Sequence, residues 1–387
     1  MRNKLIKTVL TFAGFATAAA MMSCGPKAIK EESVLDTPDN HFSQGMRELD
    51  RNNVAEALKE FERAKALNPN YPEAFAGVGL AYAYQGDFEK ALNAVDQALG
   101  KSDKSYEARV IKGRIVSMRR KEGDDWVKDA AEEFDRAIKL NPNNDKAYFY
   151  KAEAYKLGYQ FGPAAEAYSK VIAMKGEHAG KADAEYATMQ KIQRAAPGTK
   201  VGMKIALIPE IDRADLSVLL LEELKLEEVY KKKKQPSYST DYQAPADPTK
   251  MEQPQAQKLA DATDISTHWA KNWINDIIRL GAIEPFPDRK FYPDEKITRA
   301  NYAKTMEDIL IAVTSDQTLR TKYFGGQSRF PDMRSDHFSY NACALMVDRG
   351  IMSADKITGA FNPEGKISGA DALLIIRDFQ NALRITF

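Results

Sequence analysis

Four copies of one residue pattern, each about one helical hairpin long, constrain this chain more than any other feature of its sequence. Gly45, Gly79, Gly113 and Ala152 line up in one register, and Ala57, Ala91, Ala130 and Ala164 in a second. Phe61, Val95, Phe134 and Tyr168 form a third, and Ala64, Ala98, Ala137 and Val171 a fourth. The interval is 34 residues, except for one step of 39 in each series. The surplus falls between the two helices of the third copy, around "RRKEGDD". A period of this size marks a stack in which each unit buries its apolar face only against its neighbours. Small residues let paired helices approach, and large ones fill the space beside them. Asn68-Pro69 and Asn141-Pro142 then end second helices, since proline cannot continue the hydrogen-bond ladder.

With Phe75 and Tyr148 near the start of first helices, and Tyr82 and Tyr155 one turn past the small residue, the pattern over 38–178 resembles the tetratricopeptide repeat. Copy one is poorer, with His41, Gln44 and Glu48 in its first helix, as suits a terminal unit facing water. The resemblance implies a helical-hairpin solenoid whose groove takes a protein or peptide partner. Arg109, Lys112, Tyr148 and Lys151 are the candidate groove residues; a solvated helix face is the plainer reading of the same positions.

The segment 179–230 starts with a helix-like stretch stopped by Pro197-Gly198 and continues "KIALIPEIDRADLSVLLLEELKLEEV". This reads as a short apolar strand, a turn at Pro209, and a helix capped by Asp212 with Leu216, Leu219, Leu220 and Leu224 at helical spacing. Two further stretches, 262–312 and 330–385, share their internal spacing. Trp269 precedes Gly281 by 12 residues, as Phe338 does Gly350; Phe291 precedes Ile297 by six, as Phe361 does Ile367. Pro293 and Pro363 stand at the same place between them, and Asp264 matches Asp332. The second helix opens with Thr298-Arg299-Ala300-Asn301 in one stretch and Ser368-Gly369-Ala370-Asp371 in the other. Asp212-Arg213-Ala214-Asp215 is a third version.

These stretches resemble the S-layer homology motif, with a degenerate first copy inside 179–230. Three copies imply an α-helical domain of pseudo-threefold form. The signature's first residue caps a helix, and its arginine offers a planar fork suited to carboxylate or phosphate. In the family that arginine helps hold an acidic or ketal-bearing wall glycan. The resemblance therefore makes Arg213 and Arg299 candidate glycan contacts, with Trp269 and Gly281 shaping the same groove. Gly369 stands where the third arginine belongs, so one groove has lost its anchor. Pairing with nearby carboxylates is the structural alternative for both arginines, and Trp269 reads as core before it reads as a contact. His268 and His337 lack the companions a zinc site needs, and Cys343, in "YNACALMVDRG", reads as a buried inert thiol.

Residues 1–23 have a basic start, Arg2, Lys4 and Lys7, and an apolar run from Val9 to Met22. That is a targeting segment, too short for a spanning helix. Its end, Met-Met-Ser-Cys-Gly, resembles the bacterial lipobox, with Ser23 as the expected small residue and Met21 where leucine is usual. The resemblance makes Cys24 the lipidated first residue of the mature chain and, through Gly25, implies an outer-membrane destination. A plain secretory peptide with an incidental cysteine is the alternative. Each buried methylene contributes about 0.8 kcal/mol, so several acyl chains hold what one would not. Residues 24–37 would form a tether. The stretch 231–261 begins with four lysines and continues through Pro236, Pro245, Pro248 and Pro254, the composition of a disordered insertion.

Without the leader the chain has 53 basic against 55 acidic residues, so no global field favours nucleic acid. Cys24 and Cys343 are the two cysteines, too few for a disulfide framework. No nucleophile elbow, phosphate loop, paired-histidine motif or dinucleotide turn is present, so neither an enzyme nor a cofactor is expected. The expectation is a mainly α, lipid-anchored envelope protein of the outer membrane, facing the periplasm. Its repeats would bind a protein and its C-terminal domain a wall or surface polysaccharide. A scaffold or assembly subunit of an envelope machine, using its S-layer-like motifs for protein contacts alone, is the alternative.

Overall fold

The computed structural model describes residues 28–233 and 262–383. The leader 1–23, Cys24 and most of the insertion lie outside the described residues. The chain divides into two compact units, one up to Tyr186 and one from Ala187. Sixteen α-helices make up its regular structure among the described residues, with two isolated antiparallel bridges.

The first unit is a helical-hairpin solenoid. Its helices are α1 (Pro38–Asp50), α2 (Val54–Leu67), α3 (Pro72–Tyr84), α4 (Phe88–Lys101), α5 (Tyr106–Arg119), α6 (Trp126–Leu140), α7 (Asp145–Leu157) and α8 (Phe161–Met174). Side chains start several of them: Thr37, Asp87, Ser105 and Asn144 each accept a backbone N–H from the first turn. Pro38 and Pro72 sit where a missing N–H costs nothing. The repeat registers are the core. Phe61, Val95, Phe134 and Tyr168 are fully buried, as are Ala57, Ala91, Ala130 and Ala164. Gly45 and Gly113 explain the small-residue register, because a Cβ there would press on the rings of Phe61 and Phe134. The surplus residues of copy three form the loop between α5 and α6.

The described part of the expected tether is fastened down. Ile29 N donates to Ala66 O at 3.0 Å, and buried Asp36 takes Arg63 Nε at 3.0 Å and faces His41 Nε2 at 2.8 Å. The Arg63 guanidinium holds the Asp36 carboxyl well below the usual carboxylate range.

Helix α9 (Ala179–Ala195) contains the division between the units. The second unit continues with α10 (Lys200–Ala206), α11 (Arg213–Glu222), α12 (Leu226–Lys233), α13 (Lys271–Arg279), α14 (Arg299–Thr314), a 3₁₀ turn (Gln317–Thr321), α15 (Tyr340–Asp348) and α16 (Gly369–Ala382). The run "KIALI", expected as a strand, is mostly helix α10. Local capping decides this: Thr199 accepts from Gly202 N, and the Glu223 carboxylate takes Gly198 N, Thr199 N and the Thr199 hydroxyl. A short apolar run carries no period of its own, so its neighbours choose. The four-lysine run starts inside α12.

Three motif copies close on one another through the backbone of their signature turns. Arg213 N and Ala214 N donate to Glu295 O and Pro293 O of copy two, both at 3.0 Å. Arg299 N and Ala300 N donate to Gly365 O (2.8 Å) and Pro363 O (3.0 Å) of copy three. Gly369 N donates to Ile208 O of copy one at 2.8 Å. The ring is completed at its centre, where Ile211 N donates to Ile367 O and Ile297 N to Ile211 O. Phe291, Phe361, Tyr302 and Phe379 fill the core, with the Tyr302 hydroxyl on Ala372 O at 2.9 Å.

Candidate functional sites

The signature turns of the second unit share one construction. Asp212, Thr298 and Ser368 each cap their helix by accepting the N–H three residues on. The Asp264 carboxylate takes Phe291 N and Tyr292 N at 2.8 and 2.7 Å, and Asp332 takes Phe361 N and Asn362 N at 2.9 and 2.6 Å. That fixes the loop running up to the next signature. Each signature arginine then reaches across to this loop. Arg213 donates through Nε to Phe291 O (2.7 Å) and through Nη2 to Glu284 O (3.2 Å). Arg299 donates to Phe361 O (2.8 Å) and Ser353 O (2.6 Å). Both guanidinium groups lie over rings, Arg213 on Phe286 and Phe291 and Arg299 on Phe361, at 4.6–4.8 Å. Their partners are carbonyls and rings rather than the carboxylates of the structural alternative. Burial presses both arginines below their ordinary value, against the pull of Glu295 and Asp264 on one and chiefly Asp371 on the other.

Gly281 sits beside the Arg213 clamp, three residues before Glu284, in a left-handed turn at φ +69°. Gly350 matches it in copy three at +68° and lines, with Arg299, Ile351, Ser353 and Asp371, a cleft of about 470 Å³. The third groove is closed. A Cβ on Gly369 would overlap the Ile205 carbonyl, because α10 occupies the place where an arginine would reach. Copy one explains this, since six residues separate the end of α10 from Arg213, against 19 and 20 at the same place in the later copies. The shortened loop lets α10 pack on α16, and glycine is what fits beneath it.

Trp269 is not core. It is 56% exposed, its counterpart Phe338 72%. The apolar face of α13 is Ile274, Ile277 and Ile278, and Trp269 lies ahead of the helix, against His268 and Trp273. Trp273 donates its indole N–H to Glu222. His268 and His337 share a local role, each ring Nδ1 lying within hydrogen-bond reach of the backbone N–H two residues on. Cys343 is fully buried, and burial pushes its thiol up to about 12.

In the first unit the candidate cations turn toward second helices. Arg109 pairs with Glu133 at 2.8 Å, Lys112 with Asp96 at 2.9 Å and Lys151 with Asp135 at 2.6 Å. Tyr148 is half-buried beside them. None of the four lines the cleft of about 420 Å³ that crosses the first helices of copies two to four. That cleft has Tyr84, Phe88, Arg114, Met118, Phe149 and Tyr150 in its wall. Arg114, which sequence reasoning passed over, lies over the Tyr150 ring at 4.4 Å and is 9% exposed. Its place directly after Gly113, about 100° around the helix from the buried register, was the available signal.

Comparison with known proteins agrees with both halves. The tetratricopeptide repeat family matches residues 42–106 and 78–116, and the S-layer homology domain family matches 263–303. The signal recognition particle subunit SRP72 of Dictyostelium discoideum is 32% identical over 101 residues, 25% of this chain. The chain spans 15% of that relative's length. A thermophilic tetratricopeptide-repeat protein of Thermus thermophilus is similar at 16% identity over 50% of this chain and 97% of its own, with a TM-score of 0.35. The family matches alone show tetratricopeptide repeats within 42–116 and an S-layer homology domain at 263–303. Both are non-catalytic kinds of domain, one for protein interaction and the other for association with the cell surface.

Proposed function

We propose that this is a non-enzymatic, lipid-anchored protein of the bacterial outer membrane, facing the periplasm, that tethers membrane to wall. Its repeats hold an envelope protein while its C-terminal domain binds a wall or surface polysaccharide. A membrane anchor and a glycan site on one chain raise the effective concentration at each. Cys24 carries the lipid.

The observation that carries the glycan half is the cleft beside Arg299. Nε and Nη2 are committed to carbonyls, which fixes the guanidinium and leaves Nη1 for an acidic or ketal oxygen of the sugar. Asp371 and Asp378 line the same cleft and can accept sugar hydroxyls. The equivalent arginine of copy one, Arg213, offers a second such place beside Gly281, and Trp269 an exposed ring for a sugar face. Gly369 offers none, so two grooves operate.

Sedimentation with purified wall material tests this. Wild type should pellet, and the double variant Arg213→Lys, Arg299→Lys, which keeps charge but loses the fork, should stay in solution while its circular dichroism is unchanged. Equal pelleting of both, or of neither, sinks the glycan reading. Cys24→Ala should abolish acyl labelling and release the protein from membranes; a variant that still fractionates with membrane ends the anchor assignment.

A further inference from the structure

The cleft across α3, α5 and α7 holds a polar group that the fold leaves unfinished. Arg114 is nine-tenths buried, yet its Nη1 has no hydrogen-bond partner among the described residues. Nη2 has one, the Tyr84 hydroxyl, at a long 3.4 Å, and Tyr84 is itself 39% exposed. A buried donor without a partner costs stability, so a fold keeps one where something else completes it. The cleft supplies no unpaired anion of its own. Its one carboxylate, Glu153, is engaged by Lys156 at 2.9 Å and by the Tyr168 hydroxyl, while Arg120 adds a second positive charge at the rim. Apart from Ser117, whose hydroxyl donates to Gly113 O, the rest of the wall is apolar or aromatic, with Phe88, Met118 and Phe149 prominent.

We infer that this cleft receives an acidic side chain of a partner polypeptide, flanked by an apolar residue, with Arg114 as its ion-pair partner. The inference rests on the protein-binding reading of the repeats and names the chemistry that the partner must carry. An incoming carboxylate displaces the weakly held Tyr84 hydroxyl and takes Nη2 and Nη1 together, the end-on fork that guanidinium groups favour. Stacking on Tyr150 keeps the fork in place before the partner arrives, so little side-chain freedom is lost on binding. The cleft crosses three successive repeats, which suits a segment running along it with its backbone at the rim. A side chain, rather than a chain end, then reaches Arg114, and its apolar neighbour covers Met118 and Phe149.

The full-length protein is screened on an array of hexapeptides, acetylated and amidated at their ends. Wild type should enrich Asp or Glu next to large apolar residues. Changing that acid to its amide in the best peptide should weaken binding about tenfold or more, as expected for one charge-assisted pair. Arg114→Met should bind the acid and amide peptides alike, and should melt no lower than wild type, because it removes an unpaired nitrogen. If that variant unfolds, Arg114→Lys carries the test and should keep a reduced preference for the acid. Peptides chosen without acidic residues, or an unchanged ratio in the Arg114 variants, overturn the inference and leave the repeats as a protein-binding module. Binding that needs a free C-terminal carboxylate also overturns it. An array with no binder at all removes the protein-binding reading itself.

Discussion

The two units solve the same problem, repeating one helical unit without gaps, by opposite means. In the solenoid, copies meet through side chains: a ring such as Phe61 lies where Gly77 of the next copy has no Cβ. In the C-terminal unit, copies meet through backbone: signature N–H groups bond the carbonyls of the next copy, and the last copy returns to the first. The difference shows in the arginines. Arg213 and Arg299 spend two nitrogens each on carbonyls of the neighbouring copy, whereas Arg114 has one long bond to Tyr84 and a buried nitrogen without a partner. A closed ring ties its cations down for closure and leaves one nitrogen of each for a ligand, and an open stack can reserve a whole fork for a partner.

The sharpest way to break this comparison is at Gly369. Gly369→Ala sets a Cβ against the backbone of α10, which has no rotamer with which to yield. The C-terminal unit should lose about 4 kcal/mol, as severe overpacking does, read from hydrogen exchange resolved by region, with the solenoid untouched. A loss below about 1 kcal/mol would mean that the ring is not closed there. Next in size is Arg299→Ala, which strands the carbonyls of Phe361 and Ser353 and should cost about 2 kcal/mol in the same unit. If it abolishes wall binding at unchanged stability, the arginine serves the ligand alone and the clamp is incidental.

Gly113→Ala tests the solenoid side. The new Cβ would lie 2.7 Å from the Phe134 ring, so about 1–2 kcal/mol is lost after the gain in helix propensity. Because a side chain is the obstacle, Phe134→Leu should recover part of the loss in a double-mutant cycle. No single side-chain change should recover Gly369→Ala. Coupling at Gly113 of zero would show that the registers do not interlock as the sequence periodicity implies.

The registers of the solenoid were legible because burial repeats at a fixed interval, and Gly45 and Gly113 each found a ring. The paired features Asp264 with Asp332, and Gly281 with Gly350, were legible for the same reason, two copies of one geometry. What escaped was decided by local or unique contacts. "KIALI" became helix through Thr199 and Glu223, which no period announces. Arg109, Lys112 and Lys151 looked like groove residues because they are cations on first helices, yet their carboxylates lie on second helices, distant in sequence. Arg114 sat one residue away from the register being counted and so went unread. Trp269 was read by residue type, which favours burial, while its place ahead of α13 left it in water.

The smallest expected effect is electrostatic and has opposite sign in the two units. Asp215 is 4% exposed, and burial, helped by the neighbouring Asp212 carboxylate and opposed by Lys296, raises its carboxyl to about 6. With the folded value above the ordinary 3.8, the native state binds the extra proton between about pH 4 and 6. The contribution of Asp215 is then fully present below 3.8 and is lost as pH rises through about 6. Asp36 in the solenoid is the reverse case: Arg63 holds it low, so its contribution is present above the unfolded value and lost as pH falls toward the folded one. Copy two carries neutral Asn301 at the place of Asp215, so Asp215→Asn makes copy one resemble it. The variant should gain about 1 kcal/mol at pH 7 and nothing at pH 4, flattening the pH slope of the C-terminal unit alone. An unchanged slope between pH 4 and 7 would place the titration elsewhere and remove the electrostatic half of the contrast.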